Sequence, residues 1–144
     1  MKQTKLILTS IAFILTVLVF VQACKKGNAV DLSGTYTINS GENLHIPENK
    51  NDATISVSDF ADSRCPINAD CVWAGVATGN FTLKDKANEQ TIELCLGACD
   101  VVKKPKTQNI TLNGVIYTIE LTEVTPYPGT TKEKSKATIV LKKK

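Results

Sequence analysis

From residue 31 onward, short segments of alternating apolar and polar residues are separated by turn residues. Successive side chains of a strand point to opposite faces, so each segment predicts a strand with one buried face. Clear examples are Ala53 to Ser58 and Thr91 to Leu96. No segment has a sustained helical period. The pattern predicts an all-β domain, a single antiparallel β-sandwich or partly open barrel of about seven to eight strands.

Several positions predict local irregularities within this pattern. Asn113-Gly114 lies between two apolar segments, and this dipeptide tolerates the positive φ angles of a two-residue type I′ hairpin turn. Phe60 breaks the alternation of its strand, which predicts a β-bulge, and Val124 breaks parity in the same way. The strand containing Val124 ends at Thr125 to Gly129, where Tyr127–Pro128 is a candidate cis peptide bond.

The stretch from Asp62 to Gly75 holds two cysteines, a proline and the only tryptophan of the chain. This composition predicts a stapled turn that leads into a buried strand. Asp62 and Arg64 are expected to pair or to accept and donate backbone hydrogen bonds, which would rigidify the turn. Trp73 is expected to pack on the disulfide as part of the core, and the alternative is that it lines a ligand surface.

The first 23 residues are predicted to be a bacterial export signal. Lys2 and Lys5 give a positive start, and an apolar stretch follows from Leu6 to Val21. This stretch is interrupted by hydroxyl residues and is shorter than the roughly 20 apolar residues that a spanning helix needs. An uncleaved signal-anchor is the alternative.

Val21-Gln22-Ala23-Cys24 resembles the lipobox of bacterial lipoproteins. The resemblance implies that residues 1–23 are removed and that acyl chains on Cys24 anchor the protein to a membrane. Each buried methylene contributes about 0.8 kcal/mol, so several chains make a permanent anchor. Residues 24–32 are then the lipidated cysteine and a tether, and residues 33–144 form the domain. The alternative is a secreted protein with a chance cysteine after its cleavage site.

The four remaining cysteines, in an oxidising compartment, predict two disulfides. Three connectivities are open, and we favour the local pairs Cys65–Cys71 and Cys95–Cys99, which would staple two short loops. Bridging requires Cα atoms within roughly 7 Å, so the chain must turn between Cys95 and Cys99, where Gly97 allows it. A zinc site of four thiolates and a redox-active pair fit the spacing less well.

The motif DSRCP-x4-C-x-WAG, which runs from Asp62 to Gly75, and the later segment from Tyr117 to Pro128 resemble a family of small exported bacterial lipoproteins. The resemblance covers roughly residues 41–141 and implies fold and compartment but no activity. The signal and the Cys-Lys-Lys start are similar to lipoproteins of the Bacteroidetes kind, which implies the outer membrane of the cell envelope. Cys95 and Cys99 are additional to the shared motif, which supports pairing them with each other.

No catalytic constellation is recognisable, so we expect a protein that is not an enzyme and needs no cofactor. His45, the only histidine, lies between two apolar strand positions and is expected to be solvated. No serine has the context of an activated nucleophile. Asp59, Asp62 and Asp70 could form an oxygen-rich calcium site, although no EF-hand spacing is present, and no metal is the preferred prediction.

Two functions of different class remain. The first is a binding or structural envelope module whose stapled loops contact a protein, glycan or small ligand. The possible contact residues are Ile67, Asn68, Ala69 and Asp70. The second is an inhibitor of an exported protease, with the Cys65–Cys71 loop acting like a substrate. Without Lys2 and Lys5, the chain has 15 basic and 14 acidic residues, so nucleic acid is not expected. We expect a monomeric domain held to the membrane by the acyl chains on Cys24.

Overall fold

The computed structural model describes residues 30–48, 50, 52–130 and 133–144. In this part of the chain, eight strands form two antiparallel four-stranded sheets that do not close into a barrel, so the predicted all-β sandwich is confirmed. The strands are β1 (Gly34–Asn39), β2 (Asn43–Ile46), β3 (Ala53–Asp62), β4 (Val76–Asp85), β5 (Glu89–Gly97), β6 (Thr107–Leu112), β7 (Val115–Thr125) and β8 (Lys136–Lys143). A single-turn helix, α1 (Cys99–Val102), lies between β5 and β6.

The chain crosses between the sheets twice. The first sheet has the strand order β1-β8-β7-β6, and the second has the order β2-β3-β4-β5. The chain therefore starts in the first sheet, builds the whole second sheet through adjacent hairpins and returns for its last three strands. The first and last strands lie side by side, because Gly34 pairs with Leu141 and Asn39 pairs with Lys136.

One hydrophobic core lies between the two sheets. The alternation in β7 places Tyr117, Ile119 and Leu121 on the inner face, where all three are fully buried. Phe81 and Leu83 face them from the second sheet and are equally buried. Burying an aliphatic or aromatic side chain of this size contributes about 1.5 to 3 kcal/mol. The inward-facing side chains of the alternating pattern are therefore the main source of stability.

The predicted irregularities are present, with one exception. Asn113 and Gly114 have φ angles of 51° and 75° and join β6 to β7 as a two-residue turn. The register of β3 against β4 shifts between Ser58 and Ala61, and that of β7 against β8 shifts between Leu121 and Glu123. The cis peptide bond was predicted two bonds too late: Thr125–Pro126 is cis, and so is Ile46–Pro47.

The amino-terminal segment is held by a buried tyrosine. The Leu32 N–H donates to the Tyr117 hydroxyl at 3.1 Å, and the Tyr36 hydroxyl donates to the Leu32 carbonyl at 3.0 Å. Leu32 is itself buried in the core, so the folded domain begins at least one residue before the predicted boundary at 33. The predicted signal, Cys24 and most of the tether lie outside the described residues. No helix in the described ranges is long and apolar enough to cross a membrane.

The two ends of the sandwich differ. At one end, the start of β1 lies beside the end of β8, because Gly34 pairs with Leu141. The 113–114 turn is close by, because Tyr117, near the start of β7, pairs with Lys143. We call this end the amino-terminal end. At the other end, β3, β5 and β7 terminate. The eleven residues of β7 separate the two ends by about 35 Å, at roughly 3.3 Å per residue.

Asp85 connects the two sheets at the amino-terminal end. Its Oδ1 accepts the N–H groups of Ala87 and Asn88 at 2.7 Å each within the β4–β5 hairpin. Its Oδ2 accepts the N–H of Asn113 from the other sheet at 2.6 Å. Burial raises the pKa of Asp85, but the hydrogen bonds from the three backbone N–H groups together lower it by more. The pKa of Asp85 therefore lies below its usual value. The ionised carboxylate is therefore the form that stabilises the fold.

We predict that Asp85→Asn lowers the free energy of unfolding at neutral pH by about 1 to 3 kcal/mol, because an amide cannot accept all three hydrogen bonds. The folded pKa is depressed, so this contribution is complete above about pH 4 and is lost as pH falls through the folded pKa. Urea unfolding across a pH series measures the difference, which should shrink in acid. Asp100→Asn is the control, since no described residue donates a hydrogen bond to the Asp100 carboxylate. Equal effects of the two substitutions would contradict the assignment.

Candidate functional site

The segment from 63 to 75, which we call the stapled loop, joins β3 to β4 with its two limbs in contact. The Ser63 N–H donates to the Val76 carbonyl at 2.8 Å, and the Cys65 N–H donates to the Ala74 carbonyl at 3.0 Å. The Cys65–Cys71 disulfide then closes the tip with a Cα–Cα distance of 5.9 Å, as predicted. Backbone pairing and the disulfide together give this polar loop a fixed shape.

The glycine at the end of the WAG segment, Gly75, is required by the backbone geometry of the stapled loop. It has a φ of +75°, and a Cβ atom there would lie 2.0 Å from the Ser63 carbonyl oxygen and 2.6 Å from the Arg64 Cα. Real Cβ atoms do not approach so closely, so the limbs of the stapled loop can meet only if this residue has no side chain. The glycine therefore allows the close contact that shapes the loop.

The second disulfide brings a second loop against the first. Cys95 and Cys99 are bonded as predicted, with a Cα–Cα distance of 5.7 Å, and Gly97 makes the turn between them at a φ of 101°. The Ala98 N–H donates to the Gly75 carbonyl at 3.1 Å. The α1 segment is thus fastened to the base of the stapled loop.

The segment after β7 completes this end of the sandwich. A Cβ atom on Gly129 would lie 3.4 Å from Pro66, so the turn that contains Gly129 packs on the stapled loop. Tyr127 from the same turn covers the Arg64 guanidinium, with 4.1 Å from the Arg64 Cζ to the ring centroid. Two loops that are distant in sequence therefore both contact the stapled loop, and we call the region formed by the three loops the stapled end.

Arg64 lies at the centre of the stapled end, and among the described residues it is the one buried polar or charged residue, 6% exposed. Its Nε donates to Asp62 Oδ1 at 2.9 Å and its Nη2 donates to Asp62 Oδ2 at 2.6 Å, a two-pronged ion pair. Nη2 also donates to the Val124 carbonyl of the opposite sheet at 2.8 Å. The hydrogen bonds to Asp62 raise the pKa of Arg64 above its usual range, so the guanidinium stays charged.

A cavity of about 340 Å³ opens beside this ion pair. Its volume lies at the lower limit of the range typical for small-ligand sites, about 300 to 1,000 Å³. The wall combines apolar or backbone surfaces with a few polar groups, and both sheets contribute to it. The lining residues are Arg64, Ala74, Gly75, Leu96, Gly97, Thr122, Glu123 and Tyr127.

Large apolar side chains are exposed on all three loops. Of the seven that are exposed in the described part of the chain, five belong to the stapled end: Ile67, Val72, Trp73, Val101 and Tyr127. We call these five the apolar cluster. The prediction that Trp73 belongs to the core is wrong, because 48% of it is exposed. It lies in the stapled loop before β4 begins, so its side chain is not directed inward by the strand alternation.

The predicted contact arc, Ile67 to Asp70, is at the tip of the stapled loop and is exposed throughout. The Ala69 N–H donates to the Pro66 carbonyl at 3.1 Å, so the arc is a tight turn. The arc and the cavity belong to the same end of the molecule. Sequence reasoning identified the arc and the Asp62–Arg64 pair but missed the cavity, because Val124 and Tyr127 approach Arg64 from about 60 residues away.

The carboxylates considered for calcium are not brought together. Asp62 is engaged by Arg64, and Asp59 accepts hydrogen bonds from Ser58 and Asn80. Across the described ranges, no group of three or more histidine, cysteine or acidic side chains is placed to hold a metal ion. His45 is exposed on β2, as predicted, and its Nδ1 lies 3.2 Å from the Thr54 hydroxyl.

No protein-family profile, curated protein or solved structure matches this chain.

We predict that Gly75→Ala lowers the free energy of unfolding by about 3 kcal/mol or more, since the new Cβ overlaps backbone atoms and the φ angle is positive. Gly41→Ala is the matched control. Gly41 has a φ of +78° but no heavy atom within 4 Å of the added Cβ, so it should lose only about 1 to 2 kcal/mol. Denaturant unfolding of both variants makes the comparison, and equal losses would show that the loop limbs need not touch.

We predict that replacing Cys65 and Cys71 together by serine lowers the free energy of unfolding by about 2 kcal/mol, the chain-entropy value for so short a ring. The paired limbs at Ser63 and Cys65 should keep the rest of the stapled loop in place. Thermal unfolding under non-reducing conditions measures the loss. A melting temperature equal to that of the wild type would argue against a stabilising role for this disulfide.

Proposed function

We propose that the protein is a lipid-anchored lipoprotein of the bacterial cell envelope, held at the outer membrane by Cys24, that binds another envelope protein through its stapled end. The observation that carries the proposal is the apolar cluster: five large apolar side chains exposed on the stapled loop and on the two loops that contact it. Exposed apolar surface on a soluble domain is typical of protein contact sites. Trp, Tyr and Arg, which are present here, are the residue types that dominate binding energy in such sites.

The rigidity of the stapled end supports a binding role. Two disulfides, the Arg64–Asp62 ion pair and the contacts of Gly75 and Gly97 hold the loops before any partner arrives. A protein that binds with a preformed surface loses less conformational entropy on association. Loops that served only to connect strands would not need this degree of constraint.

The position of the amino terminus also supports the proposal. The first described residue, Val30, lies at the amino-terminal end, where the Tyr117 hydroxyl donates to its carbonyl at 3.5 Å. Only five residues lie between Cys24 and Val30. The six Cα-to-Cα steps reach about 20 Å at full extension. With Cys24 acylated, the amino-terminal end faces the membrane, and the stapled end, about 35 Å away along β7, faces outward.

The inhibitor alternative is less well supported by the loop geometry. Peptide segments that proteins bind along a strand or cleft are extended, so that the backbone can pair with the host. The Pro66–Ala69 hydrogen bond instead folds the arc into a tight turn. We therefore favour a binding surface made from three loops over a single substrate-like loop.

Site-specific photo-crosslinking in the native host tests the proposal. Photoreactive benzoylphenylalanine replaces Ile67, Val101 or Ile116 in the full-length protein. Positions 67 and 101 lie in the apolar cluster, and Ile116 is a comparably exposed apolar residue at the amino-terminal end. We expect positions 67 and 101 to crosslink to the same envelope protein and position 116 not to do so, because only the stapled end faces the partner.

Crosslinking equally from all three positions, or from none, would contradict binding through the stapled end. A glycan as the common crosslinked species would keep the site but change the class of partner. A protease that is inhibited stoichiometrically by the purified protein would favour the inhibitor alternative.

A further inference from the structure

The guanidinium of Arg64 has more donors than the protein uses. An arginine carries five N–H groups, one on Nε and two on each Nη. Asp62 and the Val124 carbonyl accept hydrogen bonds from Nε and Nη2 at 2.6 to 2.9 Å. The Tyr127 side chain accepts a further hydrogen bond from Arg64. Because the N–H of Nε and both N–H groups of Nη2 are already used, this bond comes from Nη1. A side chain that is 6% exposed therefore keeps one N–H of Nη1 without an acceptor among the described residues.

The place of Arg64 in the fold indicates where this donor group is available. Asp62 occupies one edge of the guanidinium, and the Tyr127 ring covers its face at 4.1 Å. The open side of the residue is the cavity, of which Arg64 forms part of the wall. Both the ion pair and the stacking ring fix the direction of the plane, so the donors need no rearrangement to meet a ligand.

We propose that the cavity is a binding site for a neutral amide of a protein partner, whose carbonyl oxygen accepts a hydrogen bond from Arg64 Nη1 while its neighbouring aliphatic side chain packs on Leu96, Ala74 and the Tyr127 ring. The inference deepens the proposed function and rests on it, since it assigns a specific contact within the stapled end. It also names the chemistry that the partner must present.

The charges around the cavity favour a neutral acceptor. Asp62 already neutralises Arg64, and Glu123 is the other charged residue of the wall, so a carboxylate or phosphate would enter a site of net negative charge. A cationic group would meet the donors of a guanidinium. An amide carbonyl satisfies Nη1 without introducing a charge.

The same donor would discriminate among partners. An apolar partner surface that covered the cavity without supplying an acceptor would leave the remaining Nη1 N–H buried and unpaired, which costs about 1 to 3 kcal/mol. A partner with a carbonyl at this point avoids that cost. The apolar cluster supplies contact area, whereas Arg64 selects for one hydrogen-bonding group.

Three matched small probes test the assignment: N-acetyl-leucinamide, which is neutral, N-acetyl-leucine, which is an anion at neutral pH, and leucinamide, which is a cation. Each is titrated up to its solubility limit into the ¹⁵N-labelled exported chain, residues 24–144, with Cys24→Ser to prevent acylation. We expect the neutral probe to bind most tightly and to shift the amide signals of Gly75, Gly97, Thr122 and Glu123, as well as the Arg64 side-chain signals. The signals of Asn113 and Gly114 at the opposite end should not move.

Two substitutions complete the test. Ala74 is an exposed residue of the cavity wall, so the larger side chain of Ala74→Leu fills the cavity. The substitution should weaken binding of the neutral probe by about tenfold or more. Ala87→Leu, the same change in an exposed residue of the β4–β5 hairpin, should leave binding unchanged. The ¹⁵N spectra of both variants report whether the fold is retained.

Tighter binding of N-acetyl-leucine or leucinamide, shifts that do not include the cavity residues, or insensitivity to Ala74→Leu would each overturn the assignment. Its failure is distinguishable from failure of the proposed function. Crosslinks from positions 67 and 101 with no probe bound in the cavity would retain the partner surface and remove the amide site. The absence of those crosslinks would remove the surface itself.

Discussion

The burial of one arginine constrains the stapled end of this protein. A guanidinium removed from water is costly unless its charge is paired and its donors are satisfied. Arg64 meets this requirement with Asp62 at the end of one sheet and the Val124 carbonyl in the other. Separating the sheets at this end would break the hydrogen bond from Nη2 to the Val124 carbonyl, whereas the ion pair with the nearby Asp62 would remain. The polar contact therefore fixes the relative position of loops that the hydrophobic core reaches only weakly.

Much of the fold could be predicted because its determinants are local. Strand alternation placed Tyr117 and its β7 neighbours in the core, a two-residue turn was readable in Asn113-Gly114, and both disulfides close rings within one loop. Trp73 was wrongly assigned to the core, because alternation determines the direction of a side chain only within a strand. This residue lies in the stapled loop, before β4 begins. The contact between Tyr127 and Arg64 joins distant parts of the chain, and no local pattern encodes it.

The two ends of the sandwich are made rigid by different interactions. At the amino-terminal end, the Asp85 carboxylate and the Tyr117 hydroxyl hold neighbouring backbone segments through hydrogen bonds. At the stapled end, disulfides and glycine contacts supply the rigidity instead. The side chains of the apolar cluster and of the arc from Ile67 to Asp70 remain exposed there. This division is consistent with anchoring at one end and recognition at the other.

The bulge in β7 shows how the strand itself contributes to the candidate site. In a regular strand, neighbouring residues face opposite sides, so only one of Thr122 and Glu123 could face a given surface. The register shift between Leu121 and Glu123 places both in the cavity wall, while Leu121 and Val124 on either side remain in the core. The extra residue thus re-aims polar side chains toward the opening without removing apolar ones from the interior. The parity break at Val124, visible in the sequence, marks the place where β7 changes from a core strand into part of the cavity wall.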